Sequence, residues 1–261
     1  GLVTCGKLFS TLFGFDYVPM MIVGAVFVLI YTIIGGFLAE SASDFMQAVV
    51  MIIALLVVVI TGTTAAGGLG AVVDNAKSIP GFLEFFGIAT PVTVDGVQQA
   101  VNGVPQFGDA GTYSIISVLS AVAWGLGYFG MPQVLLRFMA IRSEGELNRS
   151  RRIAIVWVLI SLTVAVFIGI VGRALYPLAL TTESASENVF IVLATGLLPP
   201  VLAGLVMAGI LAATISSSDS YLLIAASAFA KNIYQGLLHK KATDKHVLLI
   251  SRAALLIITA I

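Results

Sequence analysis

The strongest constraint on this chain is a series of long segments without a charged side chain. About 20 apolar residues cross the hydrocarbon core of a bilayer as a helix, so uncharged runs of that length predict membrane crossings. Charged residues make up only 10% of the 261 residues and apolar residues 59%, whereas a soluble domain carries about 25% charged residues. The chain is therefore predicted to be an integral membrane protein. The uncharged runs lie at residues 20–39, 45–62, 113–136, 153–172 and 189–218.

The last of these runs is too long for one straight crossing. Pro199 and Pro200 divide it, because proline interrupts a helix and biases the preceding residue away from helical geometry. We expect a short interfacial or re-entrant helix at residues 189–198 and a crossing at residues 200–230. With incomplete crossings at residues 1–13 and 246–261, the sequence predicts an all-α polytopic helix bundle with five whole crossings, cut from a longer protein.

The basic residues predict how the chain is oriented in the membrane. Most of them fall in two loops, which the positive-inside rule places in the cytoplasm. An alternating path then puts a turn at residues 40–44 inside and a long extracytoplasmic loop, residues 63–112, outside. That loop is long enough to hold its own helix, for which residues 78–80 offer a start. The two basic groups are Arg137, Arg142, Arg149, Arg151 and Arg152, and Lys231, Lys240, Lys241 and Lys245.

Several functional classes are disfavoured by the composition. The 13 basic and 13 acidic residues balance, which argues against nucleic acid as a partner, since neutralising phosphates needs a basic face. A single cysteine, Cys5, permits neither an internal disulfide nor a multi-cysteine metal site. The sequence contains no nucleophile triad, phosphate-binding glycine loop or histidine metal pair. We therefore expect no enzymatic activity and no organic cofactor.

An ionisable residue inside a crossing is a functional candidate, because a charge in lipid is costly unless it has partners. Asp219 lies in the segment TISSSDS, residues 214–220, where five hydroxyl side chains accompany the carboxylate. Hard oxygen ligands of this kind suit small alkali cations. The alternative is that the serines bond to carbonyls of their own helix. Asp44, at the start of the second crossing, is either a further functional carboxylate or a helix N-cap.

The third crossing has a composition that is unfavourable for a continuous helix. Residues 123–132 read AWGLGYFGMP, with three glycines and a proline. Transporters use unwound helices at mid-membrane to bind substrates and ions, and Trp124, Tyr128 and Phe129 supply aromatic surface for a ligand. Close helix packing through the small residues is the competing interpretation. We favour a binding role.

Taken in order, these segments resemble one family. The runs YTIIGGFLA (31–39) with DFMQ (44–47), WGLGYFGMPQ (124–133) with RFMA (137–140), and GILAA (209–213) with SSSDSYLL (216–223) are similar to the sodium:solute symporter family. Within it, the proline-transporting members are the most similar. The resemblance implies a LeuT-like fold with two inverted five-helix repeats, of which this chain would contain the third to ninth core helices. It also implies sodium-coupled secondary active uptake of proline through the cell membrane by alternating access.

The resemblance also implies roles for individual residues. Ala213, Ser216 and Ser217 match the ligands that the eighth core helix gives to the main sodium site. Asp44 matches an acidic residue that is important for sodium coupling, and Ser216, Asp219 and Ser220 would complete an additional sodium site. The proline-transporting pattern has serine at the position of Asp219, which leaves the number of sodium ions per cycle open. The positions matching substrate or inner-gate residues are Trp124, Tyr128 and Pro132.

Two other functions stay open at the level of sequence. One is a sodium symporter for another small carboxylate or organic solute, because the selectivity for proline depends partly on the first and tenth core helices. The other is a transporter-like sensor domain in a signalling protein. Uptake competition separates the first alternative from proline transport, and the complete reading frame separates the second.

Overall fold

The structure is a computed structural model that describes residues 2–260. The chain forms two compact units, one made of the residues up to Met51 together with those from Ala208 onward, the other made of Ile52–Met207. Nearly every segment with the composition of a crossing is helical. The helices are α1 (Leu2–Phe13), α2 (Tyr17–Ala65), α3 (Leu69–Lys77), α4 (Ile115–Gly127), α5 (Pro132–Met139), α6 (Glu144–Leu175), α7 (Glu183–Ser186), α8 (Val189–Leu197), α9 (Pro200–Ala228) and α10 (Asp244–Ala260).

Helix α2 contains a break that the sequence pattern misplaces. Its 49 residues, at 1.5 Å each, are far longer than the roughly 30 Å of a hydrocarbon core. Gly36, with φ 54° and ψ −146°, divides it into two helical parts, and that backbone region is open essentially to glycine alone. Residues 40–44 are helical, so the prediction of a turn there is wrong. Asp44 lies well inside the second part, which also excludes the N-cap interpretation.

Helices overlap each of the predicted whole crossings. Within residues 2–260, three helical stretches are long and apolar enough to cross a bilayer: Tyr17–Ala65, Glu144–Leu175 and Pro200–Leu238. The pair Ile115–Gly130 and Pro132–Met139, bent by 46°, is a fourth if it makes one crossing. Gly36 divides the first stretch into two helical parts, which overlap the first and second predicted crossings. The incomplete crossings correspond to α1 and α10, and Gly1 and Ile261 lie outside the described residues.

In the first unit, parts of α2, α9 and α10 share an apolar core. Ala226, Ala254 and Leu255 are buried, and Leu29, Ile33, Leu222 and Ile258 pack against them. Helix α9 begins directly at Pro200, as predicted, and continues beyond Ala228 as a π-helix, Phe229–Leu238. This core fixes the two helices that carry the polar residues described below.

In the second unit, α6 packs closely on α8. A Cβ at Gly172 would lie 2.1 Å from Val189 Cγ2, so only glycine permits this approach of the two helices. Helix α8 is the short helix predicted before the two prolines, and Leu198 leaves it with extended backbone (φ −102°, ψ 145°), as expected of a residue before proline.

The long loop departs from the all-α expectation. Its helix is α3, which ends at Lys77, so the predicted start at residues 78–80 is wrong: Ser78 is the C-cap of this helix. After it, three antiparallel pairs of two-residue strands follow. The strands are β1 (Gly87–Ile88), β2 (Thr93–Val94), β3 (Val97–Gln98), β4 (Ala100–Val101), β5 (Val104–Pro105) and β6 (Gly111–Thr112).

Candidate ion site and aromatic segment

Six side chains of α2 and α9 form a group that we call the carboxylate cluster: Tyr31, Glu40, Asp44, Ser216, Asp219 and Ser220. Within this cluster, Ser216 Oγ donates a hydrogen bond of 2.6 Å to Asp44 Oδ1. Ser216, Asp219 and Ser220 lie on one face of α9 because residues three and four apart are neighbours on a helix. Asp44 therefore meets the hydroxyl-rich segment, as the resemblance implied.

Glu40 is the second carboxylate of the cluster. Only 1% of its surface is exposed, and its Oε1 lies 2.5 Å from Ser220 Oγ. The same hydroxyl lies 3.0 Å from the carbonyl oxygen of Ser216. Because Glu40 is one turn before Asp44, both carboxylates point to the same face of α9. Glu40 lies in the segment for which the sequence pattern predicts a cytoplasmic turn, and that pattern does not indicate its contact with Ser220.

Asp219 is the most deeply buried member of the cluster. Its side chain is fully buried, and its Oδ1 accepts a hydrogen bond of 2.7 Å from the backbone N–H of Ser220. Its Oδ2 accepts a hydrogen bond from the hydroxyl group of Tyr31. Tyr31 precedes the break at Gly36, whereas Glu40 and Asp44 follow it. One face of α9 thus contacts both parts of the broken helix.

Of the three residues matched to the main sodium site, Ser216 belongs to the carboxylate cluster, whereas Ala213 and Ser217 do not. Ser217 Oγ donates a hydrogen bond of 3.3 Å to the carbonyl oxygen of Ala213. Ser217 is exposed and lies on another side of α9 from Ser216. Ser218 Oγ makes the same kind of bond, 2.8 Å long, to Thr214 O. For Ser217 and Ser218, the interpretation of serines bonded to their own helix therefore describes the structure.

The aromatic segment lies in the second unit. Helix α4 ends in a 3₁₀ turn, Tyr128–Gly130, and Met131 has extended backbone (φ −71°, ψ 120°) before Pro132 starts α5. The broken helix predicted from glycine and proline is confirmed. Trp124 and Tyr128 meet edge to face, with ring centroids 5.1 Å apart and planes at 79°. Trp124 is 71% exposed, and Pro132 is exposed as well.

The chemistry of the carboxylate cluster is that of a hard cation site. It combines carboxylate and hydroxyl oxygens, ligands that suit alkali and alkaline-earth ions, in a segment long and apolar enough to cross a membrane. Within residues 2–260, no group of three or more His, Cys, Asp or Glu side chains is placed to hold a metal ion. Serine hydroxyls separate the carboxylates instead, so any ion bound here would take mixed ligands.

Tyr31 and Glu40 are the members of the cluster that sequence reasoning missed. A signal for Glu40 was present, because it stands one helical turn before Asp44 in an otherwise uncharged region. Tyr31 stands in the YTIIGGFLA run without any feature of its own that indicates a contact with Asp219, 188 positions away. Its role follows from tertiary structure alone.

The helices and the cluster together define a polytopic helical membrane protein with broken crossings and an intramembrane group of oxygen ligands. The model of the sodium:solute symporter family matches residues 1–261. The chain belongs to the sodium:solute symporter family.

Named relatives in this family are transporters. The osmoregulated proline transporter OpuE and the high-affinity proline transporter PutP, both of Bacillus subtilis, are each 34% identical over 262 residues. These matches cover 100% of this chain, 48% of the former relative and 50% of the latter. The sodium/proline symporter of Escherichia coli is 32% identical over 265 residues, covering 100% of this chain and 48% of that protein. The chain thus spans about half the length of the curated relatives that it matches.

Proposed function

We propose that this chain forms part of a sodium-coupled proline symporter of the cell membrane. The observation that carries the proposal is the contact of Asp44 with Ser216 across α2 and α9, 2.6 Å long, in a chain of the sodium:solute symporter family. The substrate is proposed from the names of relatives that are 32% to 34% identical. No enzymatic step and no organic cofactor belong to this proposal.

For the complete protein we propose a LeuT-like bundle in which this chain supplies the third to ninth core helices. The two basic loops face the cytoplasm, and the long loop of residues 63–112 faces outward. This orientation is supported by the basic residues of 137–152 and 231–245 and by the positive-inside rule. It agrees with a path in which the five proposed crossings alternate in direction.

We assign two groups of oxygen ligands to sodium. Ala213, Ser216 and Ser217 belong to the main site, and Asp44, Asp219 and Ser220 to an additional one that shares Ser216. Sodium bound to α9 stabilises the substrate-binding state, so it increases the affinity for proline, and by linkage proline increases the affinity for sodium by the same factor. The membrane potential contributes about 2.3 kcal/mol per charge per 100 mV to accumulation.

We assign the aromatic segment to the substrate path. Trp124 and Tyr128 present an exposed pair of rings, and the break before Pro132 interrupts the helix beside them. Irregular backbone of this kind is used by transporters where it lines a cavity. Movement about this break would change the access to bound proline during alternating access.

The full-length protein in proteoliposomes tests the proposal. An inward sodium gradient should drive the accumulation of labelled proline above its outside concentration, and an equal potassium gradient should not. Proline uptake that is indifferent to sodium would overturn the assignment. If unlabelled pantothenate, a sugar or another amino acid competes better than proline, the protein is a sodium symporter with a different substrate. Binding of proline without any uptake would instead indicate a sensor.

The main sodium site has a test with a matched control one residue away. Ser217→Ala removes a proposed ligand, so the sodium concentration for half-maximal uptake should rise severalfold, because a hydrogen-bonding or ligand oxygen is worth about 1 kcal/mol. Ser218→Ala removes the same kind of helix-bonded hydroxyl and should leave the sodium dependence unchanged. Equal sodium dependence in both variants would remove Ser217 from the ligands.

A further inference from the structure

A pocket with basic and aromatic walls lies at the end of the third long crossing. It measures about 560 Å³ and is lined by Tyr234, His239, Lys240, Lys241, Ala242 and His246. The stretch Pro200–Leu238 contains Tyr234 and ends directly before His239. Neither the proposed transport mechanism nor the family assignment uses these residues. We call this site the basic pocket.

The π-helix Phe229–Leu238 builds one wall of the pocket. The backbone N–H of His239 donates a hydrogen bond of 2.7 Å to Tyr234 O, five residues earlier, which continues the π-helical pattern. This spacing stacks the two rings, with centroids 4.8 Å apart and planes at 13°. The ring of His246, from the first turns of α10, lies 6.4 Å from Tyr234. π-helical segments are rare and often mark functional sites.

The loop that carries the two lysines is held in place by hydrogen bonds. Gln235 Nε2 donates to Ala242 O at 3.2 Å, and Ala242 N donates to His239 O at 2.9 Å. Next to the loop, Val247 is buried, with 5% of its surface exposed. The backbone of this loop is therefore held in place, unlike that of a flexible basic tail.

The charges around the pocket favour an anion. Lys240 and Lys241 line it directly, and the imidazole rings of His239 and His246 offer N–H donors beside them. The nearest acidic residue in sequence, Asp244, starts α10 and does not line the pocket. Ammonium and imidazole groups around one concave space suit a phosphate, which presents several acceptor oxygens and a negative charge.

The residues next to the basic pocket favour the phosphate of a lipid over a soluble phosphate. Leu237 and Leu238, the last residues of the π-helix, are 74% and 67% exposed. Large apolar side chains directly before a basic pocket at the end of a crossing match the boundary between acyl chains and headgroups. Basic pockets at the cytoplasmic side of membrane helices bind anionic headgroups. A soluble phosphate would use the lysines and histidines but not the leucines.

We propose that the basic pocket binds the phosphate of an anionic phospholipid headgroup, with the acyl chains along Leu237 and Leu238. The recognition chemistry is a phosphate held by Lys240, Lys241 and the two imidazole rings. The lipid would thereby hold the end of α9 against the start of α10. This inference does not depend on the transported substrate.

The test measures lipid binding to the purified full-length protein by native mass spectrometry, with phosphatidylglycerol and phosphatidylcholine of equal chain length. Wild type should bind phosphatidylglycerol more tightly. The double variant Lys240→Gln/Lys241→Gln should lose roughly fivefold in affinity for each lysine, since a basic residue near an anionic surface is worth about 1 kcal/mol. Lys245→Gln, which removes a lysine outside the pocket lining, should change the affinity less than twofold.

Each other outcome overturns a stated part of the proposal. An equal loss for Lys245→Gln and for Lys241→Gln alone would mean diffuse attraction and no pocket. Equal binding of the two lipids by wild type would exclude headgroup recognition. Displacement of phosphatidylglycerol by millimolar inorganic phosphate, lost in the double variant, would assign the pocket to a soluble phosphate and exclude the lipid. Both lysines are exposed, and an unchanged elution volume in gel filtration checks that the variants fold.

Discussion

Two helix breaks in this chain differ in whether the side chains next to them are buried and hydrogen-bonded. At Gly36 in α2, the acidic residue that follows the break is buried and hydrogen-bonded to α9, with Glu40 1% exposed and 2.5 Å from Ser220. At the break before Pro132, the aromatic residues are exposed, and none of the described residues of α4, the 3₁₀ turn or α5 is buried. One break is completed by a partner helix, and the other leaves an uncovered aromatic surface.

This difference separates the two parts of the proposed transport site. The side chains proposed as ion ligands are held by hydrogen bonds within one compact unit. In the aromatic segment, Trp124 and Tyr128 contact each other edge to face. Sodium-dependent binding of the substrate would then arise from a coupling free energy between the two proposed sites.

Removing the charge of Asp44 should have the largest effect and test whether the cluster is an ion site. Asp44→Asn keeps the shape of the side chain but weakens a charge-assisted hydrogen bond and a cation ligand, together worth about 1.5 to 3 kcal/mol. The sodium concentration for half-maximal proline uptake should therefore rise on the order of tenfold to a hundredfold. Asp74→Asn, at an exposed ion pair with Lys77, is the control and should behave as wild type. Unchanged sodium dependence in Asp44→Asn would contradict the assignment.

A methyl group added at the Gly36 break should destabilise the protein more than one added at a glycine inside a regular helix. Gly36→Ala places a Cβ where φ is 54° and ψ is −146°, a backbone strain of about 2 kcal/mol. The denaturant concentration at the midpoint of unfolding of the full-length protein should therefore fall. Gly204→Ala, in α9 with nothing within 4 Å of its Cβ, should be neutral or stabilising by up to about 1 kcal/mol. Equal stability of both variants would mean that the break at Gly36 is not a fixed feature.

Glu40 should contribute to sodium coupling although no pattern assigns it. Glu40→Gln retains an acceptor for Ser220 but removes a buried negative charge near Asp44, so sodium affinity should fall about fivefold to tenfold, a loss of about 1 to 1.4 kcal/mol. The readout is the sodium dependence of uptake at fixed proline. Glu144→Gln, at the exposed start of α6, is the matched control. A change only in expression, with the same sodium dependence, would make Glu40 structural.

Loss of the aromatic pair should change the KM for proline more than it changes the sodium dependence of uptake. The expected factor is smaller than those expected for Asp44 and Glu40. Trp124→Ala removes the edge-to-face contact with Tyr128, worth about 1 kcal/mol, so the KM for proline should rise about fivefold. Trp124→Phe keeps an aromatic ring at this position, so its KM for proline should lie close to that of the wild type. Phe138→Ala, which removes a ring of α5 that is 49% exposed, is expected to change KM little. Equal effects of Trp124→Ala and Phe138→Ala would indicate general packing instead of a substrate contact.

The positions of the helices were largely predictable from the sequence, because the bilayer imposes a length and a polarity on each crossing. The start of α9 at Pro200 and the break before Pro132 follow from local backbone chemistry. The prediction of a turn at residues 40–44 is wrong because charged residues indicate a loop only where they face water, and Glu40 is buried. In the structure, partners 172 to 188 positions away satisfy Asp44, Glu40 and Tyr31, so a charged segment remains helical.

The sequence by itself determined that this is a multi-pass membrane protein with hydroxyl-rich and glycine-rich crossings, since hydropathy and proline act locally along the chain. Only the tertiary structure decided that Glu40 and Tyr31 join Asp44, Ser216 and Asp219 while Ser217 bonds to its own helix. The physical reason is that a buried carboxylate is stabilised by whichever hydroxyl packing places within hydrogen-bond distance, and that partner is set by how the faces of α2 and α9 meet.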